Sequence, residues 1–418
     1  MVYIKRIVDT ELRDRLSSAG AVLITGAKGT GKTESARQLS RSEVRIDVDL
    51  DVSELMGIDP FMLLEGEKPR LLDEWQLQPR LWDYVRRAVD DSKKRGQFIL
   101  TGSSQPVKDV RSHSGAGRFS VIRMRPLSWQ ELGLSSGEVR LAEVLENQLN
   151  ATHAVDMSLD EIIIALSRGG WPATLADSDR DAAQYVQDYV TLLAEVDVKE
   201  TTDARIDAGR VKRFLQSFAR NIATEAGIST VIKDMQGEYG EALAPDTITR
   251  YIEALESLMI IENLPALKTH IRSSATLRKA SKKHFVDPSI AVAALGHSPE
   301  MLKQDLNYFG LLFESLALRD LRIYAQALGA AVFHYRDSSG LEVDAIVQQT
   351  NGAMAAFEVK LGRSEHDGAA QNLQKLASLV NGTRSQPLVQ SLNIITGFGF
   401  AYTRPDGVNV IPLNVLGV

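Results

Sequence analysis

The run "AVLITGAKGTGKT", residues 21–33, constrains this chain more than any other stretch. Five strand-forming residues lead into a glycine-rich turn, and the spacing predicts a helix from Lys32. The turn fits G-x-x-x-x-G-K-[ST]. A strand, loop and helix of this kind build into a parallel α/β sheet, with the loop at a strand's carboxyl end. Gly26, Gly29 and Gly31, with Ala27, Lys28 and Thr30 between them, let backbone N–H groups turn toward phosphate oxygens, and the helix adds the positive end of its dipole. Lys32 is expected to reach the β- and γ-phosphates of ATP, and Thr33 to bring its hydroxyl to Mg²⁺.

A second strand, "RLLDEW", ends its apolar run in Asp73 and Glu74. Asp73 is expected to hold the magnesium through water, and Glu74 to orient or deprotonate an attacking water. Acidic residues also suit a helix start; the phosphate loop nearby is what favours the catalytic role. "FILTGSS" closes a third strand in Ser103 and Ser104, either of which can hydrogen-bond the γ-phosphate or the water, or cap the turn. Phosphoryl transfer also calls for a cation, often an arginine supplied across a subunit interface. Arg118 in "GAGRFS", after a glycine-rich loop, is the candidate, and in trans it requires a homo-oligomer. Arg123 and Arg125 lie within or next to a strand.

Composition removes several alternatives. The chain has no cysteine, so disulfides, thiol nucleophiles and thiolate zinc sites are out. A net charge of −6 excludes a general polycation, so any nucleic-acid contact needs a local basic patch. The one conspicuous patch is Lys268, Arg272, Arg278, Lys279, Lys282 and Lys283, with no acidic residue between Asn263 and Val286; a solvated loop between domains is the alternative. Neither a signal-peptide core nor an apolar run of membrane-spanning length is found, which gives a cytoplasmic expectation with no membrane partner.

Strands alternating with helices over residues 1–137 predict the parallel sheet. Residues 138–209 read as mostly helical, punctuated by the turn in "RGGWPATL". Residues 210–284 read as helices followed by a hairpin, a winged-helix-like unit, and 285–418 as a further α/β segment. Over nearly the whole length, "LITGAKGTGKTESARQL", "LLDEWQ", "ILTGSSQ", "GAGRFSVIRMRPLSWQEL", "GGWPATL", "DTITRYIEALESLMII", "KHFVDPSIA", "LLFESLALRDL" and "EVDAIV…FEVKLG" occur in the order found in one protein family. The chain thus resembles the prokaryotic AAA+ family ATPases of the archaeal-type clade with a C-terminal domain of unknown function. That resemblance implies an ATPase domain, a winged-helix segment and a restriction-endonuclease-like C-terminal fold. It also implies a role for Arg118, which matches the family's Gly-Arg position.

In "LEVDAIVQ", Glu342 and Asp344 share one face of a strand, and in "AAFEVKLG" Glu358 and Lys360 share one face of the next. This is the D…E-x-K pattern of PD-(D/E)XK nucleases, and Glu314 on the preceding helix matches an extra acidic residue that many of them have. Asp344, Glu358 and Glu314 are then candidate ligands of Mg²⁺, and Lys360 a candidate to position or help deprotonate water. Two functions follow. One is an ATP-hydrolysing, DNA-associated enzyme with a metal-dependent nuclease site. The other is a nucleotide-gated module whose nuclease-like domain grips a protein or nucleic acid without cutting.

Overall fold

The structure is a computed structural model and describes residues 3–103, 115–153, 156–201, 207–240, 244–267, 280–382 and 388–418, with only the backbone of residues 200 and 239. The chain divides into two compact units, residues 1–126 with 257–259, and residues 127–256 with 260–418. Among the described residues, no helix is long and apolar enough to cross a membrane.

The first unit runs α1 (Val8–Ser18), β1 (Ala21–Thr25), α2 (Lys32–Arg37), β2 (Ser42–Arg45), α3 (Val52–Ile58), β3 (Arg70–Asp73), α4 (Leu81–Ser92), β4 (Phe98–Gly102) and β5 (Phe119–Arg123). Its sheet has the order β2-β3-β4-β1-β5, and every pairing is parallel. All five residues of β1 and of β4 are buried, as expected for central strands covered on both faces. Alternation sends Val22 and Ile24 to a core with Leu12, Leu16, Leu71 and Ile99, and Ala21 and Leu23 to another with Leu72, Trp75, Trp82 and Leu100. The carboxyl ends of β1, β3 and β4 therefore meet at one edge. That edge carries the first site.

The second unit begins with β6 (Val139–Arg140), α5 (Leu141–Leu145) and β7 (Thr152–His153), followed by α6 (Leu159–Arg168), α7 (Asp179–Leu192) and α8 (Val198–Thr201). Then come α9 (Ala208–Arg220), α10 (Ile228–Tyr239) and α11 (Pro245–Ser257), and an antiparallel ribbon of β8 (Ile261–Leu264) and β9 (Lys282–Phe285). The remainder is α12 (Ser289–Leu295), α13 (Pro299–Gln304), α14 (Leu306–Ala327), β10 (Ala331–Arg336), β11 (Glu342–Gln348), β12 (Met354–Lys360), α15 (His366–Asn381), β13 (Val389–Thr396), β14 (Phe400–Thr403), β15 (Asn409–Pro412) and β16 (Leu416–Gly417). Seven strands form one sheet in the order β10-β11-β12-β13-β15-β14-β7. Residues 138–209, expected as helical, thus also supply two short strands: β7 joins this sheet, and β6 pairs with β16.

Several motifs that stand out in the sequence converge inside this unit on one buried arginine. Arg319 of α14 donates to Asp287 at 2.7 Å and to Asp320 at 2.9 Å. Asp287 also accepts the N–H of Gly170, and Asp320 that of Trp129, both at 2.9 Å. The glycine pair is required here. A Cβ on Gly170 would stand 2.2 Å from the Leu127 carbonyl oxygen, and one on Gly169 would stand 2.4 Å from Ser289 Oγ. The turn in "GGWP" is therefore also a close approach of two backbones.

Candidate functional site

The phosphate loop leaves β1 at Thr25 and enters α2 at Lys32. Gly29 and Gly31 have φ of 77° and 91°, in the left-handed region that favours glycine. A Cβ on Gly26 would stand 2.2 Å from the Met124 carbonyl oxygen, so the first glycine is fixed by packing against the residue that follows β5. Arg6, nearly buried, donates to the carbonyl oxygens of Thr30 and Arg125, both at 2.8 Å, and so ties the loop down from below. Its own N–H is capped by Asp9, which also accepts from the Tyr3 hydroxyl. Sequence reasoning passed over Arg6, because a charged residue ahead of a helix carries no sign of where its side chain goes.

Lys32 is 7% exposed, and its ammonium donates to the carbonyl oxygens of Gly26 and Ala27, each at 2.9 Å. Burial lowers its pKa to about 8 against the upward pull of Glu74 and Asp73. Thr33 donates its hydroxyl to Asp73 Oδ1 at 2.9 Å, and Thr101, paired with Asp73 across β3 and β4, donates to the same oxygen at 2.5 Å. Thr101 is the functional candidate that the reading of "FILTGSS" missed. Ser103 is buried, and Ser104 lies outside the described residues. Glu74 follows directly on Asp73 with φ 53° and ψ 39°, a left-handed conformation rare for a residue with a side chain. Such conformations collect at functional sites. Gln76 donates to its carboxylate.

Lys32, Thr33, Asp73 and Glu74 are thus brought to one edge of the sheet, and Arg118 is not. Arg118 immediately precedes β5, whose first residue pairs with Ala21 at the start of β1. It lies at the amino end of the sheet, about 15 Å from the loop by the length of a five-residue strand. There its guanidinium donates to Asp90 at 2.7 Å and is 44% exposed. The distance rules out service to its own phosphate loop.

In the second unit the alternation in β11 and β12 places Glu342, Asp344, Glu358 and Lys360 together, with Glu314 of α14 close by. One further residue joins them. Lys282, read from sequence as part of a basic surface patch, is 2% exposed, and its ammonium sits 2.8 Å from Glu342, 3.0 Å from Glu314 and 3.6 Å from Asp344. Lys360 lies 2.8 Å from Glu358 and 3.3 Å from Asp344. Asp344 also accepts the Val359 N–H at 2.9 Å. Burial and the charge of Asp344 push Glu314 and Glu358 up to about 8. For Asp344 itself burial acts upward, but Lys360 and Lys282 outweigh it and hold the carboxyl below its usual value. For Lys282 burial acts downward, and Glu314, Asp344 and Glu342 outweigh it and raise the ammonium above the lysine range.

The two sites differ in their fit to a divalent ion. At the first, a hydroxyl and a carboxylate oxygen already point together beside the phosphate loop, the hard-oxygen donor set that Mg²⁺ takes. At the second, the carboxylates face lysines, and among the described residues no group of three or more acidic, histidine or cysteine side chains is arranged to hold a metal. Of the basic patch, residues 268–279 lie outside the described residues. Lys282 is turned inward, and Lys283 is held by Asn263 at 2.9 Å and Glu256 at 3.5 Å.

Comparison with known proteins matches three parts of the chain to families. Residues 18–133 match a family described as AAA domain, residues 159–301 a domain of unknown function (DUF8612), and residues 309–416 another domain of unknown function (DUF4143). Proteins of Mycobacterium bovis and Mycobacterium tuberculosis, both called uncharacterized, are 24% identical over 365 residues, covering 86% of this chain and 74% of each relative. Among solved structures, the Aeropyrum pernix Orc1 protein in complex with DNA is 14% identical, with 72% of this chain and 95% of that chain covered at a TM-score of 0.28. A Thermotoga maritima RuvB variant is 18% identical, covering 62% and 89% at a TM-score of 0.26. Scores this low say nothing about function. The match over residues 18–133 does bear on it, because it coincides with the phosphate loop and the Asp73–Glu74 strand: this region is similar to an AAA domain, and that likeness supports ATP binding.

Proposed function

We propose that the chain is an ATP-hydrolysing enzyme whose nucleotide state controls how its C-terminal part grips DNA. One observation carries the ATPase half. Lys32 and Thr33 come from one stretch of sequence and Asp73 and Glu74 from another, 40 positions on, and they lie together at the carboxyl edge of a parallel sheet, with Asp73 hydrogen-bonded to Thr33. Lys32 would bind the β- and γ-phosphates, exchanging its two carbonyl partners for phosphate oxygens. Gly26 through Gly31 would supply backbone donors, and Thr33 and Asp73 would hold Mg²⁺, which neutralises charge on the phosphates. Glu74 would orient the attacking water and accept its proton. Arg118, too far from its own loop, would act on the γ-phosphate of a neighbouring copy, so turnover requires a homo-oligomer.

Three helices followed by the β8–β9 ribbon support a winged-helix-like unit that contacts DNA. The β11–β12 pair with α14 supports an endonuclease-like domain after it. A specific observation favours the gripping module over the nuclease: Lys282, a cation that the D…E-x-K pattern does not include, lies among Glu314, Glu342 and Asp344.

Phosphate release from ATP by the full chain, with and without duplex DNA, tests the proposal. Lys32→Ala is expected to abolish release, and rate per chain is expected to rise with protein concentration in the wild type but not in Arg118→Ala. Release unchanged in Lys32→Ala would sink the ATPase reading. DNA affinity is expected to fall steeply with salt. Affinity indifferent to salt would remove the DNA part.

A further inference from the structure

Lys282 sits on β9, outside the seven-stranded sheet, yet its ammonium reaches three carboxylates from two other elements, α14 and β11. The strand that carries it is anchored. The next inward-facing residue, His284, is fully buried and hydrogen-bonds Ser315 of α14 at 2.9 Å, one residue from Glu314. Lys282 is thus placed by the fold and is not a mobile surface side chain that happens to touch acids.

Its effect is clearest at Asp344, the residue on which an endonuclease-like site depends. Oδ1 of that carboxylate faces Lys282, while Oδ2 faces Lys360 and accepts the Val359 N–H. Oδ2 therefore accepts from two donors of this chain, and Oδ1 lies within ion-pair range of a third cationic group. A divalent ion of the magnesium class needs near-octahedral oxygen ligands at roughly 2.1 Å and would have to enter between two ammonium groups. Turning Asp344 and Glu358 onto such an ion would take from Lys360 the two carboxylates it pairs with, which is costly for a largely buried ammonium.

We infer that Lys282 is the resident cation of this cluster: its ammonium takes the place that a divalent ion would hold, so the C-terminal domain works without metal and does not cut nucleic acid. The inference rests on the endonuclease-like reading of this domain and names which of its outcomes this chain has taken.

Mn²⁺ titration of the nucleotide-free full chain, followed by the electron paramagnetic resonance of the free ion, tests it. Wild type and Asp344→Asn are expected to bind the same number of Mn²⁺ ions. Lys282→Met is expected to gain one site at least tenfold tighter than any that depends on Asp344 in the wild type, lost again in Lys282→Met/Asp344→Asn. If Lys282→Met does not fold, Lys282→Met/Glu342→Gln, which keeps the charge balance, is read in the same way. A wild-type site lost in Asp344→Asn overturns the inference and leaves the endonuclease-like reading standing. Absence of an Asp344-dependent site in every variant overturns both. Nicking of supercoiled DNA by the wild type in Mn²⁺, lost in Asp344→Asn, overturns the inference as well.

Discussion

Two buried lysines set the terms of this molecule. Lys32 and Lys282 are almost equally shielded from water, but Lys32 is held by two backbone carbonyl oxygens and Lys282 by three carboxylates. Carbonyl dipoles do not balance a full charge in a place where burial penalises it, so the Lys32 ammonium is left wanting an anion. Lys282 already has its anions. A buried lysine with dipoles around it marks where a negatively charged ligand goes, whereas one with carboxylates around it marks where a cation is no longer needed.

The sharpest way to break this contrast is stability without nucleotide. Lys282→Met is expected to cost about 3 to 5 kcal/mol, the usual consequence of stripping one partner from a buried ionic cluster. Lys32→Met should cost less than about 1 kcal/mol or stabilise, since it removes an unbalanced charge. Denaturant midpoints of the two variants compare them directly, and equal losses would erase the distinction. Next in size is turnover. Glu74→Gln is expected to lower ATP hydrolysis by about 10²-fold or more, with nucleotide affinity, measured by calorimetry, unchanged.

The pH dependence of nucleotide binding should follow, and its sign is fixed by the direction of the shift. Lys32 loses its proton near pH 8 in the free chain, and bound phosphates would keep it charged. ATP affinity is then expected to fall about tenfold between pH 7 and 9, with proton uptake on binding, and Lys32→Met should abolish the uptake. Stability of the free chain has the matching slope. Because the folded pKa of Lys32 lies below the unfolded one, its contribution rises as pH increases from about 8 toward 10.5. The Lys282 contribution has the opposite sense, being complete below 10.5 and lost only above it. The smallest expected effect is Thr101→Val, which deletes one hydrogen bond to Asp73 and should weaken Mg²⁺-dependent ATP binding by about 1 kcal/mol.

The parts legible in the sequence are those in which function and local structure use the same residues. A phosphate loop must be glycine-rich and lie between a strand and a helix, so Lys32 and Thr33 could be placed from a single stretch. Asp73 and Glu74 stand out because charges end an apolar run, and the alternation in β11 and β12 puts Glu342 with Asp344 and Glu358 with Lys360. Contacts between distant segments left no such mark. Arg6 reaches the loop across 24 positions, and Lys282 reaches Glu314 across 32. In sequence a buried lysine looks the same as a solvated one, so Lys282 was counted with a basic patch. The choice of Ser103 and Ser104 over Thr101 has a similar cause: the last turn residues draw the eye, while the register between β3 and β4 decides which hydroxyl meets Asp73. The "GGWP" turn was legible as a turn, but its approach to Leu127 was not.

The pairing of β16 with β6 bears on how this chain is made. Ser135 donates to the Leu416 carbonyl oxygen across 281 positions, and Leu416 and Gly417 lie alongside Val139 and Arg140. At ribosomal rates those partners emerge roughly 15 to 55 s apart. During that interval the edge around Val139 has no strand to meet, while the ATP-binding sheet, complete by Arg123, has every strand it needs. The sheet that carries the phosphate loop can therefore assemble while the second unit is still being synthesised, and a chain stalled before Leu416 would carry that finished sheet beside a second unit whose β6 is unpaired.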